Sequence, residues 1–188
     1  MNEHTIPSGE PDDEPTVAES LTDPESLRDR DDVAFTEETD VLDRETYETV
    51  REQSETDDGA ALVGVTNDDG EVLLKDTCTG WLAPGVNVAP DDDWTTAARR
   101  EAESWLDVAV ELDDVEHVRR IDHRVEGDDT PDRIVDPFYV VFFRASLAPG
   151  ETPPVDSDDE DAPDLEWFDE VPAGVDGDLE EDVEVFFD

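Results

Sequence analysis

The stretch Gly80–Val108, GWLAPGVNVAPDDDWTTAARREAESWLDV, gathers side chains whose order is set by more than solubility. A glycine turn bordered by Trp81 and Pro84 leads into Asp91, Asp92 and Asp93. A helix expected over about Trp94–Leu106 then carries Arg100 and Glu101 among small apolar residues. Asp93 is placed to cap that helix, with the acidic triplet near its positive end. At 100° per residue, Trp94, Ala98, Glu101 and Trp105 share one face, so Glu101 points where two tryptophans point and needs a partner there.

Phosphate recognition is the chemistry open to the basic residues, because arginine binds phosphate in a bidentate fork. Arg119, Arg120, Arg124, Arg133 and Arg144, with His123, supply most of the positive charge of residues 59–188. Arg120 and Lys75 are the candidates for phosphate contacts; the alternative is that such cations offset acidic neighbours on exposed strands. Trp81 and Trp94 could stack on a base or pack a core. His117 and His123 lie six residues apart on an expected strand, with no cysteine near either, so a zinc site is unsupported. Cys78, the single cysteine, has no legible Cys-His-acid arrangement and excludes an intramolecular disulfide.

The elements that position these residues follow from periodicity. Ala60–Val65 and Glu71–Leu74 flank Asn67-Asp68-Asp69-Gly70, a turn of hairpin type. Ala109–Leu112 and Val115–Val125 read as strands, the second with one wet face. Phe138–Phe143 is apolar on both sides, as in a central covered strand. Leu165–Phe168 reads as a short strand, and Leu179, Val183 and Phe186 repeat at helical spacing over about Asp178–Phe187. A mixed sheet covered by one central and one terminal helix is an α/β sandwich. Upstream, residues 1–32 read as a disordered acidic tail with one short helical turn near Pro24–Arg28, and residues 33–58 as a partly helical extension, with the helix at about Asp43–Gln53. The globular domain is expected over residues 59–188.

The chain has 188 residues, 58 of them acidic against 12 basic, for a formal charge of −46, and Lys75 is its only lysine. Acid is spread over every segment, which resembles the composition of halophilic archaeal proteins; in molar salt the Debye length is about 3 Å and such self-repulsion is screened. An acidic protein of ordinary salt is the alternative. No basic stripe exists to displace counterions, so binding to a nucleic-acid backbone is not expected, although an acidic surface could mimic one. No secretory leader or apolar run of membrane-spanning length is visible, so no membrane partner is expected and the expected location is cytoplasmic.

The Gly80–Val108 residues resemble the signature of the Nudix hydrolases: glycine, five residues, glutamate, seven residues, then Arg-Glu-apolar-any-Glu-Glu-any-Gly-apolar. Pro84 and Gly85 match the residues that precede or open the box, Val86 stands at its first glycine and Asp92 at its first glutamate. Arg100 and Glu101 match the Arg-Glu pair, and Ala102 and Val108 the apolar positions. The later Glu-Trp-Phe-Asp-Glu-Val-Pro at 166–172 is also similar. The resemblance covers about Ala60–Phe187 and implies a Nudix-like α/β/α sandwich with a mixed β-sheet. It implies a nucleotide-like small-molecule substrate, a nucleoside diphosphate linked to another group, hydrolysed with Mg2+ or Mn2+. Glu101 would then be the metal ligand, Asp92 an auxiliary acid, Arg100 the residue orienting Glu101, and Arg120, Lys75 and Trp81 the substrate contacts. Ser104 and Trp105 replace the paired glutamates and Asp107 the glycine. A further ligand by analogy is Asp128, Asp129 or Asp132. The competing implication is an impaired domain that binds a ligand or regulates without hydrolysing it.

Overall fold

A computed structural model of the chain describes residues 20–127, 136–155, 158, 160–173, 175 and 177–187. In chain order the elements are a 3-10 turn at Pro24–Leu27, β1 (Ala34–Leu42), α1 (Arg44–Gln53), β2 (Gly59–Thr66), β3 (Val72–Thr77), β4 (Gly80–Leu82) and β5 (Gly85–Val88). They continue with α2 (Trp94–Leu106), β6 (Val110–Val125), β7 (Phe138–Leu147), β8 (Leu165–Phe168) and α3 (Gly177–Glu184). The described strands form one mixed sheet in the order β1-β6-β7-β2-β3-β4, with β5 paired to β2 and β8 to β3. The expected α/β sandwich is present.

The β2–β3 connection forms as its residue types predict. The Asn67 side-chain oxygen accepts the backbone N–H of Asp69 and of Glu71, both at 3.0 Å, and Gly70 takes φ of 82°. Glycine adopts that left-handed conformation without a Cβ clash.

Strand β2 is the point on which both helical layers converge. A Cβ on Gly59 would lie 2.6 Å from the Trp94 ring and 2.0 Å from the Tyr139 carbonyl oxygen, whereas one on Gly64 would lie 2.2 Å from the Phe186 ring. The two glycines face opposite sides of the sheet, so each admits one aromatic ring from α2 or from the C-terminal segment. The apolar interior divides accordingly. Ala61, Val63, Leu73, Ala98, Ala102, Leu106 and Val141 pack on the α2 side; Val72, Leu74, Val140, Phe142, Val183 and Phe186 pack on the α3 side. Phe138–Phe143 is central, flanked by β6 and β2, as its two-sided apolarity requires.

Four features differ from the sequence reading. Ala34–Leu42, read as extension, pairs parallel with β6 from Ala34↔His117 to Leu42↔Val125. As an outer strand it exposes most of its residues, so the alternation that betrays a strand is missing. Ala109–Leu112 and Val115–Val125 join into one strand with register shifts at Leu112/Asp114 and Val115/His117. The Gly80 turn carries two short strands, β4 and β5, on either side of Pro84. Finally, the described part of the expected tail, residues 20–32, packs onto the domain, with Leu21 and Leu27 buried in the α2-side interior. The helical turn there, Pro24–Leu27, falls where expected.

Candidate functional site

Helix α2 begins where Asp93 predicts. One Asp93 carboxylate oxygen accepts the Thr96 N–H at 2.7 Å; the other accepts the Ser20 hydroxyl at 2.6 Å and the Leu21 N–H at 3.2 Å. The Trp94 N–H, an orphan donor of the first turn, bonds to the Leu21 carbonyl at 2.8 Å. Burial opposes ionisation of Asp93, yet the hydrogen bonds from Ser20, Thr96 and Leu21 hold its carboxyl below the ordinary range. The helix closes on Asp107 at φ 52°, ψ 38°, a left-handed cap that aspartate tolerates better than most residues.

The buried stripe of α2 is Trp94, Thr95, Ala98, Ala102 and Leu106. Glu101 and Trp105 lie half-buried beside it, one turn apart, while Arg100 and Ser104 are exposed. Among the described residues, the side chains of Asp92, Arg100 and Glu101 make no hydrogen bond or ion pair, so Arg100 does not orient Glu101 by direct contact. Asp92 is exposed, and its N–H bonds to the Ala89 carbonyl at 3.1 Å.

Lys75 comes to this face from β3. Its ammonium lies 5.1 Å from the Trp105 ring centroid, within cation–π range. The other two residues proposed for substrate contact do not join it. Trp81 packs with the α3-side interior, edge-on to Phe168 at 4.9 Å. Arg120 is held in an acidic setting, with guanidinium nitrogens 3.2 Å from Asp122, 3.5 Å from Glu25 and 3.8 Å from Glu37. Glu25 in turn pairs with Arg28 and accepts the Tyr139 hydroxyl at 2.8 Å, so Arg120 ties the N-terminal segment to β1 and β6. Trp94 is in the core, His117 bonds to the Thr36 hydroxyl at 2.7 Å, and Cys78 is exposed. Asp128, Asp129, Asp132 and Arg133 lie outside the described residues.

A family model described as NUDIX domain matches residues 55–182. The chain belongs to the NUDIX domain family. Similar solved structures include the MutT protein from Bacillus halodurans, at 15% identity and TM-score 0.37 over 58% of this chain and 66% of that one. A NUDIX hydrolase from Nitrosomonas europaea has 17% identity and TM-score 0.37 over 58% of this chain and 57% of that one. A UDP-X diphosphatase has 16% identity and TM-score 0.47 over 77% and 70%. Among curated proteins, none matches the sequence. The 3-10 turn, β1 and α1 precede the matched NUDIX region.

NUDIX enzymes generally use divalent cations, and the box resemblance assigns such an ion to carboxylates at positions 101, 104 and 105. Only Glu101 is one here. Mg2+ and Mn2+ are hard ions that take oxygen ligands; Ser104 offers a neutral hydroxyl, and Trp105 offers a ring already carrying the Lys75 ammonium. Among the described residues no group of three or more His, Cys, Asp or Glu side chains is disposed to hold a metal. The described residues do not fit the NUDIX cation. Val86, at the first box glycine, pairs with Ala61 within the sheet. Asp107, at the last box glycine, keeps the left-handed backbone that glycine adopts freely.

Sequence reasoning located Glu101, Arg100 and Trp105 on one helix but missed that Lys75 meets Trp105 and that Ser20 and Leu21 complete the α2 cap. The isolation of one lysine among 58 acidic residues was the available signal for the first. The second had none, because the contacts span more than 70 residues.

Proposed function

We propose that this chain is a NUDIX-fold module that binds a nucleoside-diphosphate-linked small molecule and lacks the metal-dependent hydrolysis of its family. One observation carries this reading: at the box positions of the paired glutamates stand Ser104 and Trp105, with a lysine ammonium over the indole. A carboxylate pair there would draw a divalent ion, whereas a cation on an aromatic ring repels one. Recognition of the phosphates then falls to protein cations.

A second reading, a residual hydrolase centred on Glu101 with Asp92 and Arg100 assisting, is favoured by the unpaired state of the Glu101 carboxylate. One experiment separates the two. A panel of nucleoside-diphosphate-linked compounds is incubated with the protein in molar KCl and either Mg2+ or Mn2+, and hydrolysis and tryptophan fluorescence are followed together. The binding module changes fluorescence without turnover. Turnover that disappears in Glu101→Gln establishes the hydrolase, and the absence of any binding removes both.

A further inference from the structure

We propose that Lys75, seated on the Trp105 ring, is the resident cation of this site and binds phosphoryl oxygens without a divalent metal. The inference rests on the binding-module reading above and assigns its phosphate contact. Lys75 is the one lysine in a chain with 58 acidic residues. Among the described residues its ammonium pairs with no carboxylate within 4 Å, so it forms no direct ion pair there. The side chain is half-buried on β3, two residues after buried Leu73 and therefore on the same, α2-facing side of the sheet. There it reaches the ring of Trp105, one helical turn from Glu101.

A cation–π contact holds an ammonium in place without consuming its charge, and the N–H donors turned away from the ring remain available for oxygen acceptors. Lysine in this setting acts as a point charge toward phosphate. The same ammonium repels a second cation, so the site takes either Lys75 or a metal. Rebuilding the box with Ser104→Glu and Trp105→Glu therefore places a carboxylate beneath Lys75, and the resulting ion pair masks the new ligand. Metal binding requires Lys75 to be neutralised as well.

Calorimetric titration of inorganic pyrophosphate into the full chain in molar KCl tests the assignment, first with EDTA and then with Mg2+. Wild type is expected to bind in EDTA, with no gain from Mg2+. Lys75→Met is expected to weaken binding about tenfold or more, the scale of one charge-assisted hydrogen bond, while its circular dichroism stays that of wild type. In the second arm Mn2+ alone is titrated: Ser104→Glu/Trp105→Glu is expected to bind at least about tenfold more weakly than the same double variant carrying Lys75→Met, since one repelled or masking charge is worth that factor. Equal pyrophosphate binding by Lys75→Met and wild type overturns the role of Lys75 and leaves the binding module standing. Binding that needs Mg2+ also overturns it, and no pyrophosphate binding under either condition removes this inference and the phosphate-binding reading together. Equal Mn2+ binding by the double and triple variants overturns the claim that Lys75 excludes the metal.

Discussion

Burial lifts the Asp58 carboxyl above its ordinary range, and the nearby charges of Asp136 and Asp91 add to the effect. The unfolded chain gives up this proton at about pH 3.9, whereas the folded chain holds it to higher pH. Stability therefore falls as pH rises through that interval, and the loss persists at neutral pH. Asp58→Asn is expected to raise the unfolding temperature at pH 7 and to lose that advantage when pH drops below the unfolded value, as thermal melts across pH 3–7 would read. His117 and His123 have the opposite sense. Burial lowers both imidazoles, so their contribution is present above the ordinary histidine range and fades on acidification. None of this was legible in the sequence: Asp58 is one acid among 58, and only its burial and the approach of Asp136 and Asp91 distinguish it.

Helix α2 joins local sequence rules to a contact from far along the chain. Asp93 satisfies the first turn by the ordinary capping preference, and its second carboxylate oxygen anchors Ser20 and Leu21. Asp93→Ala is expected to destabilise the protein by about 1–2 kcal/mol, the upper part of the range for loss of a cap, measured by urea unfolding in molar KCl. The terminal helix depends instead on a space. Because Phe186 occupies the place of a side chain at Gly64, Gly64→Ala pushes the ring away from β2 and is expected to cost about 1–3 kcal/mol. Limited proteolysis should then cut first near α3; unchanged stability and cutting would show that the ring moves freely. Helix α2, the β2–β3 turn and α3 were readable because periodicity, cap and turn residues are local signals. β1 was not, since its strand form depends on the β6 edge.

The charge of −46 acts on every part of the molecule at once. Some basic side chains form bridges that tie segments together, such as Arg119 to Asp182 of α3 at 2.7 Å and Arg144 to Glu116 across β6 and β7. Among the described residues no acidic side chain is buried. Reducing KCl from molar to about 0.1 M extends the Debye length from about 3 Å to about 10 Å, so repulsion among these charges strengthens. The unfolding temperature is expected to drop by several degrees over that range. A melt that is insensitive to KCl would show that the acidity is not tuned to salt. Among the described residues no helix is long and apolar enough to cross a membrane.

By itself the sequence determined the α/β sandwich, the hairpin turn, the limits of α2 and the family, all through patterns that repeat over a few residues or a fixed spacing. It also showed that two box carboxylates are missing. Tertiary structure alone decided what meets the residues that replace them. Lys75 and Trp105 are 30 positions apart and belong to different elements, and their meeting depends on which side of β3 the lysine faces and how α2 lies across the sheet. The same packing separated Trp81 from that face and committed Arg120 to Glu25, Glu37 and Asp122. Residue type gives the capacity for chemistry; convergence in space requires the sheet's pleat and helix placement to bring those residues together.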